Sequence, residues 1–256
     1  MTPLLACAVV LALVAGARGT WSPCGLSMVS AINPMSERGR GHRYPITCLL
    51  FGLGALAGGL LLGAAAAGLS LLGGLLPAQA ALLLAVLAGL VTLASDLRLA
   101  GFTLPRHPRQ VDEDWLSRYR RWVYATGFGL QVGSGFATYV MTAATYLLVV
   151  LAALAGSPAR ALLIGALFGL VRGLAVTLSA RATTPERLRD LHRRLAALDK
   201  PSLRVVMAAQ AAIVVILSVQ LGGSAVGVLV AGVVGVGVVA SGEVPWHAVR
   251  PARRDA

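Results

Sequence analysis

The sequence has 256 residues, of which 57% are hydrophobic and 12% are charged. This composition excludes a water-soluble domain and predicts an all-α polytopic membrane protein, with the lipid bilayer as its main partner. The net charge of +12 lies in short segments between apolar runs and is not interleaved with aromatic residues. The charge therefore indicates membrane topology, and nucleic acid is excluded as a partner.

Cysteine and histidine placement limits the chemistry that the chain can carry. Cys7, Cys24 and Cys48 all lie in apolar segments, so the sequence predicts neither a secreted-type disulfide framework nor a Cys-x-x-Cys metal site. The histidines are scattered through polar stretches without helical pairing. We therefore expect no metal and no cofactor, and any redox role must act inside the membrane.

The first apolar segment runs from about Pro3 to Asn33. As one straight helix it would span about 46 Å, against about 30 Å of bilayer hydrocarbon. Pro23 has no backbone donor, so we expect the helix to break there. Irregular backbone at membrane depth survives only where protein or water covers it, which makes Ser22, Cys24 and Ser27 candidate site residues. The alternative is a Pro-kinked helix with a buried, inert cysteine.

Two alternatives also remain for the start of this segment. Residues 3–17 end in small residues, as a signal peptide does, but no basic residue precedes them and the apolar stretch continues beyond them. We interpret them as the outer half of a broken first helix. Two further apolar helices are predicted, from Ile46 to Gly73 and from Ala78 to Ser95.

The middle of the chain is polar. Its second half predicts an amphipathic helix at the membrane surface, because Val111, Trp115, Tyr119 and Trp122 recur on one helical face. A fourth apolar helix then follows, from about Trp122 to Leu154. It is as overlong as the first.

The fourth helix contains a Gly-rich polar centre, so we expect it to bend or break as well. Gln131, Gly135 and Thr138 lie in or beside this centre and are candidate site residues. A fifth helix is predicted from Ala161 to Ala180.

Arg172 is the only charge well inside a predicted span, and no Asp or Glu lies inside any of them. A buried charge costs at least about 2.5 kcal/mol in a membrane helix. Its partners are then carbonyl groups, Gln131, Gln210, water or an anionic ligand. The alternative is that the side chain extends to the cytoplasmic edge of the membrane.

The last third of the chain predicts a basic loop with its own amphipathic helix, Arg181 to Arg204, and two spans joined near Gly222-Gly223. Basic connections alternate with nearly neutral ones throughout the sequence. This alternation predicts seven spans in the cytoplasmic membrane, with the N-terminus outside and the C-terminus in the cytoplasm.

The two halves share one order: a broken helix, a helix rich in small residues and a third span. Shifting the first half onto the second aligns Ser27 with Thr138 and places Cys24 opposite Gly135. Three spans in each half predict two inverted three-helix repeats with broken first and fourth helices. The predicted units are a first repeat over about 3–95, a second over about 122–222, an extra span over about 224–241, cytoplasmic loops over 96–121 and 181–204, and a basic tail over 243–256.

Glycines spaced by four residues favour close helix packing: Gly54 and Gly58, and Gly165, Gly169 and Gly173.

The broken first helix with Ser22-Pro23-Cys24, the long fourth helix with its Gly-rich centre and the two sets of three spans resemble the CcdA/DsbD transmembrane-domain family. The similarity covers about residues 5–222. It implies that a membrane cysteine carries reductant from cytoplasmic thioredoxin-like proteins to extracytoplasmic thiol proteins, including those of cytochrome c maturation. Cys24 matches the first-span cysteine of that family, whereas the fourth span here has no cysteine.

Three functions follow as hypotheses. The resemblance implies a thiol-disulfide electron carrier, with Cys24 as the reactive thiol, Cys48 as the candidate resolving thiol and thioredoxin-like partners on either side. The first alternative is a transporter of a small solute, such as an anion, from the LysE/TauE-like superfamily. A scaffold or assembly subunit whose basic cytoplasmic loops dock a partner is the second alternative. The substrate or gate residues of the transport hypothesis are Pro23, Ser22, Ser27, Gly135, Thr138, Gln131 and Arg172.

Overall fold

The computed structural model describes residues 3–105, 114–136 and 140–241, with side chains described up to residue 223. All regular structure in these ranges is helical. The α-helices are α1 (Pro3–Arg18), α2 (Pro23–Ala31), α3 (Pro34–Gly39), α4 (Tyr44–Gly73), α5 (Ala78–Asp96), α6 (Trp115–Arg118), α7 (Arg121–Ser134), α8 (Ala144–Ala153), α9 (Pro158–Leu174) and α10 (Pro185–Ser241). Shorter 3-10 segments are Gly19–Trp21, Leu99–Gly101 and Ala175–Arg181.

Five helical stretches in the described ranges are long and apolar enough to cross a membrane: Pro3–Trp21, Tyr44–Gly73, Ala78–Asp96, Pro158–Arg181 and Pro185–Gly223. Their outward faces are apolar too. On α1, for example, Leu11 is fully buried whereas Val10 and Leu13 are 47% and 44% exposed. An apolar side chain on both faces suits a helix between protein and lipid. The expected seventh span, from residue 224, lies where only the backbone is described, and it stays a prediction.

Helix α4 is the centre of the bundle, because α7 and α9 pack against it at backbone contact distance. A Cβ atom built on Gly54 would lie 2.2 Å from the carbonyl oxygen of Thr126 in α7. A Cβ built on Gly165 of α9 would lie 2.4 Å from the carbonyl oxygen of Gly59. Neither site has room for a side chain. The close packing predicted from the glycine spacing is confirmed.

Both overlong apolar segments are broken, as predicted. The first helix ends at Arg18, passes through a 3-10 turn and resumes at Pro23. The fourth ends at Ser134, where Gly135 takes the left-handed conformation with φ of 72°, and α8 resumes the apolar run. Glycine adopts this conformation without a steric cost, which explains why the break falls there.

The cytoplasmic amphipathic helix predicted within residues 181–204 is not a separate element. Helix α10 begins at Pro185 and continues through Pro201 into the apolar stretch, so the predicted loop helix and the next span form one rod. The rod is interrupted at Gly222 and Gly223, where the predicted junction lies. No local signal in the sequence marks the joining of the two helices.

The predicted surface helix around Trp115 is shorter than expected. Val111 lies outside the described residues, and α6 ends at Arg118 because Tyr119 and Arg120 are extended. The Trp115 ring stacks on Phe128 of α7, with 5.7 Å between ring centroids. This contact draws Trp115 into the bundle and separates it from Trp122, which is 60% exposed.

Candidate functional site

The first helix break is built by its own side chains. Ser22 Oγ accepts a hydrogen bond from the backbone N–H of Gly25 at 3.0 Å and donates to the carbonyl of Gly19 at 2.6 Å. Pro23 occupies the first position of α2, where its missing N–H is not needed. The sequence Ser-Pro thus acts as a helix start. Ser27, also a predicted site residue, lies half-buried on α2.

Cys24 and Cys48 meet at one apolar cluster. Cys24 is 1% exposed and packs among buried side chains that include Phe51 and Phe128. Cys48 is half-buried and packs against the same cluster. All three cysteines are reduced. The apolar surroundings match the alternative of a buried cysteine in a capped helix start.

Arg172 of α9 is 3% exposed and lies directly against the first break. A Cβ built on Gly19 would lie 2.8 Å from Arg172 Cζ, so only glycine leaves room for the guanidinium. The same Cζ lies 5.4 Å from the ring centroid of Phe168. The Arg172 side chain is therefore enclosed by protein, and its extension toward the cytoplasmic edge of the membrane stays a prediction. Close packing against the break holds its guanidinium inside the bundle.

Phe168 brings the two helix breaks together. A Cβ built on Gly135 would lie 2.9 Å from Phe168 Cε1, and Arg172 Cζ lies 5.4 Å from the centroid of the same ring. Phe168 and Arg172 lie one turn apart on α9. Phe168 therefore contacts Gly135 of the second break, and Arg172 contacts Gly19 of the first. Among the other predicted residues, Gln131 is half-buried on α7 and Thr138 lies outside the described residues.

A polar clamp joins the end of α1 to α10. Arg18 is 4% exposed, and its Nη1 donates to Asp199 Oδ1 at 2.6 Å and to Ser202 Oγ at 2.8 Å. Beside it, Trp21 Nε1 donates to the carbonyl of Leu195 at 2.7 Å. These bonds fix α10 against the first break. No local sequence pattern indicates these partners, which lie more than 170 residues away along the chain.

Asp96 corrects the expectation that no carboxylate lies inside a span. It is the last residue of α5 and is 3% exposed. Its carboxylate accepts hydrogen bonds from Thr142 Oγ1, from the Ala143 backbone N–H at 2.8 Å and from Gln210 Nε2 at 2.8 Å. Gln210 lies about 12 Å beyond Ser202 along α10, well inside the apolar part of that helix.

Asp96 thus links three elements: it ends α5, caps the start of α8 and binds α10. Sequence reasoning assigned it to the polar middle segment because Arg98 and further charges follow closely. It also offered Gln210 as a partner for Arg172, whereas the side-chain amide serves Asp96. An acid directly after an apolar helix and a lone amide in a later span are the signals that were available.

Glu37 is a second buried carboxylate that sequence reasoning missed. It is fully buried and accepts hydrogen bonds from Thr47 Oγ1 at 2.5 Å, from Tyr124 Oη at 3.1 Å and from Arg40 Nη1 at 2.8 Å. It therefore ties α3 to α4 and α7. The sequence showed only one acid in a short basic loop, a pattern typical of solvated surface charge.

The buried carboxylates of Asp96 and Glu37 hold helices together. A buried carboxylate is stable only when charged or polar donors satisfy it, and Asp96 and Glu37 both meet that condition with donors from neighbouring elements. The cavity between α4, α8 and α9, which Leu62, Leu148 and Ile164 help to line, has a volume of about 10 Å³. Such a space holds at most one water molecule. The arrangement positions helices and offers no chamber there for a solute.

Comparison with known proteins found curated relatives of one kind. The methylamine utilization protein MauF of Paracoccus denitrificans is 31% identical over 183 residues, which cover 70% of this chain and 65% of that protein. MauF of Paracoccus versutus is 34% identical over 193 residues, covering 72% of this chain and 69% of that protein. The chain thus spans about two thirds of the length of these relatives. No family model and no solved structure matches it.

These relatives overturn the resemblance to the CcdA/DsbD family. That resemblance rested on a Pro-Cys helix break and on the order of the spans. The break is explained by the length of the apolar segment and by Pro23, and it does not require a thiol function. The electron-carrier role of Cys24 and Cys48, the thioredoxin-like partners and the alternative of a small-solute transporter are therefore not supported. With 34% identity over 69% of the Paracoccus versutus protein, the chain belongs to the MauF family of methylamine utilization proteins.

Proposed function

We propose that this chain is a membrane-embedded accessory protein of methylamine utilization, which supports the process without performing its chemistry. The observation that carries the proposal is the kinship with MauF proteins of several bacteria. The buried carboxylates of Asp96 and Glu37 both form hydrogen bonds that hold helices together, which supports a non-enzymatic role.

The proposal includes a location and an orientation. We place the chain in the cytoplasmic membrane with seven spans, two inverted three-helix repeats, the N-terminus outside and the C-terminus in the cytoplasm. The alternation of basic and neutral connections supports this orientation. The clamp between Arg18 and Asp199 agrees with it, since it holds the end of α1 beside the basic first turns of α10.

The working centre of the accessory role is proposed to be the junction of the two helix breaks. Arg172 and Phe168 contact both breaks, and Ser22, Pro23 and Gly135 give the breaks their shape. At each break the regular backbone hydrogen bonding of an α-helix is interrupted, after Arg18 in the first and after Ser134 in the second. Such a junction is the natural place for a partner or a change of shape to act.

Deletion of the gene in its native host tests the proposal. The deletion strain is expected to grow normally with ammonium as nitrogen source and to fail with methylamine, and a plasmid copy should restore growth. Equal growth of both strains on methylamine would contradict a role in its utilization.

A second measurement separates an accessory role from an effect on entry. Methylamine consumption is measured in intact and in permeabilised cells. An accessory role predicts that the deletion strain lacks consumption in both preparations. Recovery on permeabilisation would show that the protein matters only for passage across the membrane, against the proposal.

A further inference from the structure

A groove opens on the outer surface of the bundle between α4 and α7. Its volume is about 410 Å³, within the range of small-molecule sites. Leu53 and Leu130 line it and are 52% and 39% exposed, and the small exposed side chain of Ala57 lines it as well. Trp115 closes one end, resting on Gly127, where a Cβ would lie 2.8 Å from Trp115 Cζ3. The groove is therefore apolar and faces the surroundings of the bundle.

Two arginines, Arg120 and Arg121, lie at one end of this groove. Val123 lines the groove and donates its backbone N–H to the carbonyl of Arg120 at 2.9 Å, so Arg120 and Arg121 lie one turn from it. Within the described parts of the chain, neither arginine has a carboxylate at ion-pair distance, whereas Arg118 pairs with Asp114 at 3.5 Å.

The same end of the groove contains the start of α7. No described side chain caps this helix, which runs for 14 residues, and its first N–H groups point away from the helix body. A helix start of this kind attracts anions, and two adjacent arginines add to the attraction.

Aromatic side chains surround the charged end. Tyr119 and Trp122 are 50% and 60% exposed, and Trp115 contacts Tyr119 edge to face at 5.4 Å between ring centroids. Exposed tyrosine and tryptophan beside arginine are typical of the level where lipid headgroups meet hydrocarbon. An apolar groove that ends in positive charge at this level matches a phosphate group attached to an acyl chain.

We propose that this groove binds one anionic phospholipid, with an acyl chain between α4 and α7 and the phosphate at Arg120, Arg121 and the start of α7. The proposed orientation places this end at the cytoplasmic leaflet, where anionic lipids are concentrated. The lipid covers the seam where Gly54 contacts α7 and holds the first half of the broken fourth helix in place. This lipid site goes beyond the accessory role and does not depend on it, but its assignment to the cytoplasmic leaflet rests on the proposed orientation.

Native mass spectrometry of the purified full chain tests the headgroup. Phosphatidylglycerol is compared with phosphatidylcholine of the same acyl chains, and with glycerol 3-phosphate as a free phosphate. The wild type is expected to retain phosphatidylglycerol preferentially, and Arg120→Gln with Arg121→Gln to weaken it by roughly 30-fold, since each arginine near an anionic lipid contributes about fivefold. Arg187→Gln with Arg194→Gln removes equal exposed charge from α10 and should leave retention unchanged.

A second pair of variants tests the acyl chain without altering charge. Ala57→Phe fills the groove and should reduce retention of phosphatidylglycerol at least fivefold, whereas Ala64→Phe, on another exposed stretch of α4, should not. Equal retention of both lipids by the wild type overturns the proposal. So does equal loss in the two double arginine variants, full competition by glycerol 3-phosphate, or no effect of Ala57→Phe.

Discussion

Asp96 is a buried carboxylate whose hydrogen bonds join three elements of the bundle. Its carboxylate lies among apolar helices. Within the described residues its partners are hydrogen-bond donors and not a cation: Thr142, the Ala143 N–H and Gln210. Removing the acceptor leaves all of these buried donors without a partner. The resulting penalty is larger than the value of any one bond, because each unsatisfied group keeps its cost of leaving water.

We predict that Asp96→Ala lowers the free energy of unfolding by about 3–5 kcal/mol. Asp96→Asn keeps the shape and one acceptor, so it should cost less. Unfolding of the purified protein in detergent, followed by circular dichroism, measures both. The matched control is Asp190→Ala, because Asp190 is exposed and pairs only with Arg193 across one turn of α10. It should change stability by less than about 1 kcal/mol. An equal loss in both variants would contradict the role assigned to Asp96.

Cys24, unlike Asp96, is expected to tolerate substitution. Its thiol packs among apolar side chains at the start of α2, and the MauF relationship removes the reason to assign it redox chemistry. We predict that Cys24→Ala and Cys48→Ala, singly and together, restore growth of the deletion strain on methylamine. Arg172→Leu should not restore it, because the side chain fills the space beside Gly19 where the two breaks meet. Failure of the double cysteine variant, with normal protein levels in the membrane, would reinstate a thiol function.

Helix breaks could be predicted from the sequence, whereas polar partners across the bundle could not. A helix longer than the bilayer must bend or break. Pro23 and the glycines near Gly135 indicate the positions of the two breaks. The length of each apolar segment and its local residues are therefore enough to predict the breaks. The partners of Asp96 lie on α8 and α10, far away in sequence. No local pattern reports such a pairing. The continuity of α10 could not be predicted for the same reason. Arg18, which is distant in sequence, holds this helix through its bond to Asp199.

The packing of α4 against α7 is the interaction between elements that the sequence predicts best, and it can be tested by adding one methyl group. A Cβ on Gly133 would lie 2.0 Å from the carbonyl oxygen of Ala55, so the helices must move apart. We predict that Gly133→Ala destabilises the protein by about 1–3 kcal/mol in the same unfolding measurement. Gly68→Ala is the control, since Gly68 also lies in a helix but has no neighbour within 4 Å. It should be neutral or stabilise by up to about 1 kcal/mol.

At the scale of the whole molecule, contacts between distant elements assign each connection to one end of the bundle. A Cβ on Gly73 would lie 2.8 Å from the carbonyl oxygen of Ala153, so the turns that follow α4 and α8 share one end. Ser179 Oγ donates to the carbonyl of Ile32 at 2.7 Å, which places the turn before α10 beside the end of α2. The basic segments after α2 and before α10 therefore belong to this second end.

Because positive residues remain on the cytoplasmic side, we predict that the turns after α4 and α8 face outward. In a background without cysteine, Leu75→Cys and Ala159→Cys should react with a membrane-impermeant maleimide on intact cells. Thr183→Cys, which is also exposed but lies near the start of α10, should react only after permeabilisation. Reversal of all three results would contradict the orientation and leave the fold intact. Opposite behaviour of Leu75→Cys and Ala159→Cys would contradict the fold itself, because the contact between Gly73 and Ala153 requires both turns to lie on one side.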